Sequence, residues 1–268
     1  MKSNSILFVG CGDLGCRSGL IMQARGWQVA GLRRNTSQLP ADFQGIAGDY
    51  TTLAGTEFIA ELKPDYVVAT FNPSDRSVEG YQRGFSQAAE SLLVGLGKHK
   101  PRAILSVSST RVYAERDGGW VDETSPLSVD DPRALAIIAA EQTLLGSAHA
   151  VSVVRFAGIY GYPGGRLLER IRRGELSPEH PPRFSNRIHR DDCAGFLCHL
   201  VARVEAGQGI ERVYNGVDDL PAPQFEVEAW LAAQMGVEAT PVKPPGISDP
   251  NIRETMPAGH KRCSNRLL

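Results

Sequence analysis

Three glycines near the amino terminus follow an apolar stretch with the spacing of a phosphate-binding loop. The stretch Ile6-Leu7-Phe8-Val9 leads into Gly10-Cys11-Gly12-Asp13-Leu14-Gly15, which reads G-x-G-x-x-G, and a helical pattern follows. In such a loop the first glycine permits a tight turn, the second lets the backbone approach a pyrophosphate, and the third lets helix pack on strand. The amides of Asp13, Leu14 and Gly15 would begin a helix whose dipole favours phosphate. We therefore expect a dinucleotide to bind here, with a purely structural glycine turn as the alternative.

The end of the second predicted strand carries two arginines. In dinucleotide-binding folds, residues at this position contact the adenine ribose and so distinguish NAD from NADP. Arg33 and Arg34 follow the strand pattern of residues 26–32, and no acidic residue occurs between Gly26 and Pro40. An acidic residue would bond the 2′-hydroxyl of NAD, whereas arginine accommodates the 2′-phosphate of NADP. The sequence thus favours NADP over NAD, unless the arginines are merely solvated loop residues.

Bulk composition places the chain among ordinary globular proteins. It has 268 residues, 42% hydrophobic and 22% charged residues, and a formal net charge of −1. No overall field favours nucleic acid or an anionic membrane, and no apolar run approaches the roughly 18 residues that span a bilayer. The first strand begins too early to leave room for a signal peptide, so we expect a cytoplasmic protein. The five cysteines show neither metal-site nor disulfide spacing.

Strand and helix patterns alternate as far as about residue 158, which indicates a parallel sheet wrapped by helices. Predicted strands cover 6–9, 26–32, 44–47, 65–69, 102–107, 151–156 and 211–215. Predicted helices cover 16–25, 51–62, 77–97, 132–146 and 224–235, with another starting near Asp191 as its N-cap. We expect an α/β fold, a Rossmann-type doubly wound parallel sheet with a small C-terminal substrate lobe. Residues 1–160 would form the dinucleotide-binding domain, and residues 161–268 would complete the sheet and form the lobe.

Five ordered motifs resemble those of the extended short-chain dehydrogenase/reductase superfamily, also called the NAD-dependent epimerase/dehydratase family. In chain order they are Ser108-Ser109-Thr110-Arg111-Val112-Tyr113, Asp122-Glu123-Thr124-Ser125-Pro126, Arg155-Phe156-Ala157-Gly158-Ile159-Tyr160-Gly161, Ile188-His189-Arg190-Asp191-Asp192 and Val213-Tyr214-Asn215-Gly216. The resemblance spans nearly the whole chain. It implies a nicotinamide cofactor, a small-molecule substrate and no metal. It also implies a homodimer formed through the long helices after strands four and five.

The catalytic centre departs from the family pattern. The resemblance places the catalytic serine at Ser109, and a tyrosine and lysine on the following helix. Arg133 stands where the tyrosine belongs and Ile137 where the lysine belongs, and neither Tyr nor Lys occurs between Tyr113 and Tyr160. Arginine stays protonated and cannot act as a base. The usual acid/base route is therefore expected to be closed.

A few residues are candidates to fill the gap. Tyr113 could supply the missing acid, with packing beneath the sheet edge as its alternative. Arg133 could bind an anionic substrate group. Arg166 begins a short basic helix in the substrate lobe and could bind phosphate or carboxylate, although a solvated helix face is the alternative.

The remaining cofactor contacts are expected along the carboxyl edge of the sheet. The resemblance implies that Asp49 binds the amino group of the adenine; the alternative is that it caps the following helix. It also implies that Thr70 and Asn72 line the ribose.

Two functions remain open. One is an NAD(P)-dependent oxidoreductase or epimerase acting on a sugar-like or nucleotide-linked small molecule. The other is a catalytically silent dinucleotide-binding or redox-sensing protein.

Overall fold

The computed structural model describes residues 3–242 and 259–268. Its strands are β1 Ser5–Val9, β2 Gln28–Arg33, β3 Gln44–Ala47, β4 Tyr66–Ala69, β5 Ala103–Ser109, β6 Trp120–Val121, β7 Val151–Phe156, β8 Gly158–Tyr160, β9 Glu175–Leu176, β10 Phe184–Ser185, β11 Arg187–His189, β12 Val213–Gly216, β13 Ala222–Pro223, β14 Thr240–Pro241 and β15 Arg262–Cys263. Its α-helices are α1 Asp13–Ala24, α2 Ile59–Leu62, α3 Val78–Tyr81, α4 Ala88–Leu96, α5 Pro132–Leu145, α6 Arg166–Arg172, α7 Arg190–Glu205 and α8 Gln224–Met235. A π-helical segment, Gln82–Gln87, joins α3 to α4.

Seven of these strands form one parallel sheet in the order β12-β7-β5-β4-β1-β2-β3. The order reverses between β1 and β4, because the chain leaves β3 at one edge and returns to pair β4 with β1. In doubly wound sheets a ligand binds outside the carboxyl ends of the strands at such a reversal. The expected Rossmann-type α/β fold is confirmed.

Apolar residues cover both faces of the sheet, as a sheet buried on two sides requires. One core cluster lies under α4 and α5 and includes Leu92 and Ile104, while the other lies under α1 and α7 and includes Phe8 and Leu197. A third, smaller cluster centres on Ile171 between α6 and α8. No helix within residues 3–242 and 259–268 is long and apolar enough to cross a membrane.

The prediction of a helix over residues 51–62 is wrong for most of that range, because only Ile59–Leu62 is helical. Hydroxyl groups compete for the backbone in the preceding turns: Thr52 Oγ1 donates to Asp49 O at 2.9 Å and accepts from Gly55 N at 3.1 Å. Such local bonds replace the helical ladder. Gly55 also packs so closely that a Cβ there would lie 2.0 Å from Asp49 O.

The N-cap of α7 differs from the expected Asp191. His189 occupies that position, and its Nδ1 accepts from Asp191 N at 3.3 Å. Asp191 instead lies in the first helical turn, where its negative charge meets the positive end of the helix dipole. The single helix expected over 77–97 is interrupted by the π-helical segment Gln82–Gln87. The remaining expected helices and strands are found with shifts of a few residues at their ends.

Candidate functional site

The glycine loop lies at the reversal of the sheet and is held by the strands on both sides. Gly10 N and Cys11 N donate to Leu32 O at 3.0 and 2.9 Å, and Thr70 Oγ1 donates to Gly10 O at 2.8 Å. Gly10 has φ = 77°, and a Cβ there would lie 2.8 Å from Thr70 O. The fold itself therefore requires glycine at this position.

Gly12 is different, because the protein alone leaves room for a side chain there. A Cβ at Gly12 would have only Gly10 O within 4 Å, at 3.7 Å. Gly12 is also the N-cap of α1 and contributes no side-chain cap, so the first-turn amides are directed to the space above the loop. Uncapped amides beside an open cradle fit a pyrophosphate. Gly15 closes the back of the loop, since a Cβ there would lie 3.2 Å from Cys11 Sγ.

The side chains of the first helical turn connect α1 to its neighbours. The carboxylate of Asp13 pairs with Arg17 at 3.1 Å and with Arg190 at 3.3 Å. Arg17 also pairs with Asp191, so the starts of α1 and α7 are tied together. Leu14 packs against the core cluster under α1. Asp13 and Leu14 can thus offer a ligand their backbone amides.

The two arginines after β2 have different surroundings. Arg33 Nη1 donates to Cys11 O at 3.2 Å, and Arg33 also bonds the side-chain carbonyl of Gln38. Arg34 is exposed. The positive charge of Arg34 counteracts the effect of burial on the nearby Tyr50, whose phenol pKa is raised chiefly by that burial. Arg33 therefore supports the glycine loop, whereas Arg34 is presented to solvent beside Tyr50.

Tyr50 connects the loops after β3 and β4. Its hydroxyl accepts from Asn72 N at 3.2 Å and lies 3.3 Å from Asn72 O, and its ring stacks on Phe71 with centroids 5.5 Å apart. Asp49 Oδ1 accepts from Thr51 N at 3.0 Å and closes a local turn; it does not cap a helix as the alternative expected, because the next helix begins only at Ile59. Tyr50 has no distinctive signal in the sequence, because a lone tyrosine in a loop belongs to no recognisable pattern.

Ser109 is the last residue of β5 and caps the short 3₁₀ turn Thr110–Val112. Its Oγ accepts from Arg111 N at 3.2 Å. This bond fixes the hydroxyl oxygen at the carboxyl edge of the sheet and leaves the hydroxyl proton to donate. Ser109 can therefore polarise a substrate oxygen, as its position in the family pattern implies.

Arg133 and Arg111 occupy the region where the tyrosine and lysine are missing. Arg111 pairs with Asp131 at 2.7 Å, and its guanidinium carbon lies 5.9 Å from the centroid of the Tyr81 ring. The Arg133 guanidinium lies 6.0 Å from the same centroid, and no carboxylate of the described residues pairs with it. Ile137 is only 2% exposed and belongs to the core. One half-buried guanidinium without an ion pair is suited to bind an anion.

Tyr113 does not fit the catalytic role considered for it. It is 1% exposed, its hydroxyl donates to Asn215 Oδ1 at 2.6 Å, and it accepts from Arg155 Nη1 at 3.1 Å. Burial raises the pKa of Tyr113 to about 12, despite the opposing effect of Arg155. The phenol is neutral and enclosed, and its hydroxyl already donates one hydrogen bond and accepts another. Tyr113 therefore packs at the sheet edge, which was the alternative to a catalytic role.

The family motifs converge on the buried network around Tyr113. Arg155 Nη2 pairs with Glu141 at 2.7 Å, both groups are at most 5% exposed, and Ser108 also donates to Glu141. Asn215 N donates to the Glu123 carboxylate at 2.8 Å. Four motif segments thus meet in one polar cluster beneath the Ser109 turn. Breaking a buried ion pair leaves one charge buried without its partner, which is costly. The network therefore holds the Ser109 turn in a fixed position.

Lys261 is a residue near this turn that the sequence analysis missed. It lies in the C-terminal segment, is 1% exposed, and donates from Nζ to Thr110 O at 3.3 Å. Thr110 directly follows Ser109. A lysine more than 120 positions away from the expected helix position offers no sequence signal for this contact.

The basic helix of the lobe is partly occupied with structural contacts. Arg170 forms an ion pair with the fully buried carboxylate of Glu228 on α8. Arg173 pairs with Glu175 at 3.1 Å. Arg166 is exposed at the start of α6. Unlike Arg170 and Arg173, Arg166 forms no ion pair with the described residues, so it has the freest position for a ligand.

The sheet order, the glycine loop at its reversal and the serine at the end of β5 define an NAD(P)-binding protein of the Rossmann type. The chain belongs to the extended short-chain dehydrogenase/reductase superfamily, the NAD-dependent epimerase/dehydratase family. It is 30% identical to a Methylobacillus flagellatus protein provisionally described as an NAD-dependent epimerase/dehydratase. That match covers 100% of this chain and 91% of the other, with a TM-score of 0.78.

Two further similarities extend this finding. Protein YeeZ of Escherichia coli (strain K12) is 25% identical over 262 residues, which are 95% of this chain and 88% of that protein. The structure of MoeE5 in complex with UDP-glucuronic acid and NAD shares the fold, with a TM-score of 0.75 and 19% identity over 98% of this chain and 90% of that one. No family model matches the sequence.

Proposed function

We propose that this protein is an NAD(P)-dependent oxidoreductase of the epimerase/dehydratase type, acting on an anionic sugar-like or nucleotide-linked small molecule. The carrying observation is the position of Arg133. It replaces the family tyrosine, lies against Tyr81 and has no carboxylate partner among the described residues. UDP-glucuronic acid, which MoeE5 binds, has both a carboxylate and a diphosphate and represents this substrate class.

The cofactor would bind along the carboxyl edge of the sheet. Gly10, Gly12 and Gly15 would accommodate the pyrophosphate with the amides of Asp13 and Leu14. Arg34 would bind the 2′-phosphate of NADP, and Arg33 would hold the glycine loop beside it. Asp49 would hold the adenine, while Thr70 and Asn72 would line the ribose. The cofactor supplies hydride transfer at its nicotinamide, and the protein residues orient and polarise the substrate.

In the substrate site, Ser109 would donate to the oxygen of the reacting carbon and Arg133 would bind an anionic group. Arg166 would contact the far end of the substrate from the lobe formed by residues 161–268. We also propose a homodimer through α4 and α5, where the large apolar side chains of Val94 and Leu135 are 61% and 41% exposed.

Transfer of deuterium tests this function. The enzyme, in excess over substrate, is incubated with UDP-glucuronic acid deuterated on its ring carbons and with NADP⁺ or NAD⁺. Oxidation of a ring alcohol moves deuteride to the nicotinamide and releases a proton to solvent, and mass spectrometry detects the heavier reduced cofactor. Ser109→Ala should slow transfer by about 100-fold, because one polarising donor is lost.

Arg133→Ala should weaken binding of the sugar nucleotide, whereas Arg172→Ala should not. Arg172 is the matched control because it is an exposed arginine of α6 that pairs with Glu169. Transfer that survives Ser109→Ala unchanged would contradict this assignment of the active site.

The second candidate is a catalytically silent dinucleotide-binding or redox-sensing protein. The observation that favours it is Ile137, since an apolar core residue stands where the family lysine would act. Tight cofactor binding without deuterium transfer would support this alternative.

A further inference from the structure

The first turns of α1 and α7 lie side by side at the glycine loop. Asp13 and Arg190 are the first residues of these two helices, and their side chains pair at 3.3 Å. The helices share one core cluster, and Cys198 Sγ donates to Ser18 O at 3.4 Å between them. Because both helices begin here, the positive ends of their dipoles lie together. Arg190 is thus a cation at a place where the dipoles favour anions.

Arg190 shares its carboxylate partner with a second arginine. Asp13 is the only acidic residue that forms an ion pair with Arg190 in the described part of the chain. The same carboxylate also pairs with Arg17, which has a further partner in Asp191. From the Arg190 guanidinium, only the Nη1 bond to Asp13 has an acceptor among the described residues. The side chain is 19% exposed, so the guanidinium keeps donors for another anion.

Tyr162 holds the Arg190 guanidinium beside the loop. The guanidinium carbon lies 4.9 Å from the centroid of the Tyr162 ring. Tyr162 follows Gly161, which has φ = 107° and packs so closely on the start of α7 that a Cβ there would overlap His189 Nε2. This turn is therefore fixed against α7. Stacking on its tyrosine restricts the guanidinium before any ligand binds.

We propose that Arg190 is a cofactor-binding residue whose guanidinium exchanges the Asp13 carboxylate for the pyrophosphate when a dinucleotide binds. A pyrophosphate at the first-turn amides of α1 would lie beside the carboxylate of Asp13, and two neighbouring anions repel each other unless a cation lies between them. Arg190 is the cation in contact with that carboxylate. The inference rests on the proposed function, since it requires a dinucleotide at the glycine loop.

The proposal predicts that substitutions of the two paired residues act in opposite directions. Arg190→Met should weaken binding of NADPH and of NADH about tenfold each, because a charge-assisted bond to the pyrophosphate that both cofactors share is lost. Asp13→Asn should strengthen binding of both about threefold, because it removes a partly exposed charge that competes for Arg190 and keeps the backbone amide. If the pair served only to tie α1 to α7, both substitutions would break the same contact and weaken binding alike.

The experiment measures Kd for NADPH and for NADH by fluorescence titration of the full chain at one fixed ionic strength. Arg190→Lys keeps the positive charge and should stay within about threefold of the wild type. Arg203→Met is the matched control, since Arg203 is a half-buried arginine in the last turn of the same helix. It should leave both constants unchanged. Thermal melts followed by circular dichroism identify the variants that fold.

A folded Arg190→Met variant with wild-type affinity for both cofactors would overturn the proposal, as would an Asp13→Asn variant that binds them more weakly than the wild type. If Arg190→Met does not fold, Arg190→Lys and Asp13→Asn decide the matter. A wild type that binds neither NADPH nor NADH would instead refute the proposed function on which the inference rests.

Discussion

By the resemblance, Ser109 stands at the position of the family serine, Arg133 at that of the tyrosine and Ile137 at that of the lysine. A tyrosine, with an unperturbed pKa near 10, becomes a useful base only when neighbouring positive charge lowers that pKa. Here Tyr113, the tyrosine next along the chain, has its pKa raised to about 12 by burial. The described site therefore combines a hydroxyl with permanent cations, an arrangement that binds and polarises anions better than it transfers protons.

The arginines after β2 give a prediction about cofactor choice. NADPH should bind about tenfold or more tightly than NADH, because a charge-assisted bond to the 2′-phosphate contributes about 1.5–3 kcal/mol. Arg34→Ala should remove most of that difference without affecting NADH. Arg33→Ala should weaken both cofactors, since Arg33 holds the glycine loop through Cys11 O. Isothermal titration calorimetry measures the six dissociation constants, for wild type and both variants with each cofactor.

Arg25→Ala is the control for this comparison, because Arg25 is an exposed arginine at the opposite end of α1. It should leave both affinities unchanged. A wild type that prefers NADH would reverse the assignment of the 2′-phosphate site.

Apolar runs and the turn residues between them predict most elements to within a few residues of their observed bounds. Strands β3 and β7 and helix α8 have the bounds expected from the sequence. The failure at residues 51–58 has a local cause, because threonine hydroxyls and Gly55 replace the helical bonds there. The N-cap of α7 was misplaced for a similar reason: Asp191 is the better capping residue by type, but His189 holds the position.

Helix α5 carries both positions at which the family tyrosine and lysine are missing, Arg133 and Ile137, and substitutions there should differ in their effect on stability. Ile137→Lys should lower the free energy of unfolding by about 3 kcal/mol, because an amine would be buried in the core. For a chain of this size that corresponds to a Tm lower by roughly 6–12 °C. Arg133→Tyr, on the half-buried first turn of the same helix, should change Tm little. Differential scanning calorimetry measures both; an Ile137→Lys variant as stable as wild type would mean that this position opens onto the site.

At the scale of the whole molecule, the site depends on contacts between segments far apart in sequence. The glycine loop, the Ser109 position at the end of β5 and the parallel, doubly wound type of sheet could be predicted, because each has a local pattern in a known order. Lys261 and the network joining Tyr113 to Asn215 could not, because no spacing rule connects residues about 100 or more positions apart. The role of Tyr113 is likewise set by Arg155, 42 positions along the chain, and by Asn215, which only the fold brings close.

A dinucleotide is expected to bind in the open space at Gly12, and one variant tests this with little risk to the fold. A Cβ at Gly12 has ample room in the protein, so Gly12→Val should fold normally while displacing the pyrophosphate. Gly209→Val is the matched control, since a Cβ there meets nothing within 4 Å. Fluorescence titration should show that wild type and Gly209→Val bind NADPH alike. Gly12→Val should bind at least about 100-fold more weakly, as expected when two charge-assisted bonds are lost. Equal NADPH affinity of a folded Gly12→Val variant and the wild type would contradict the account.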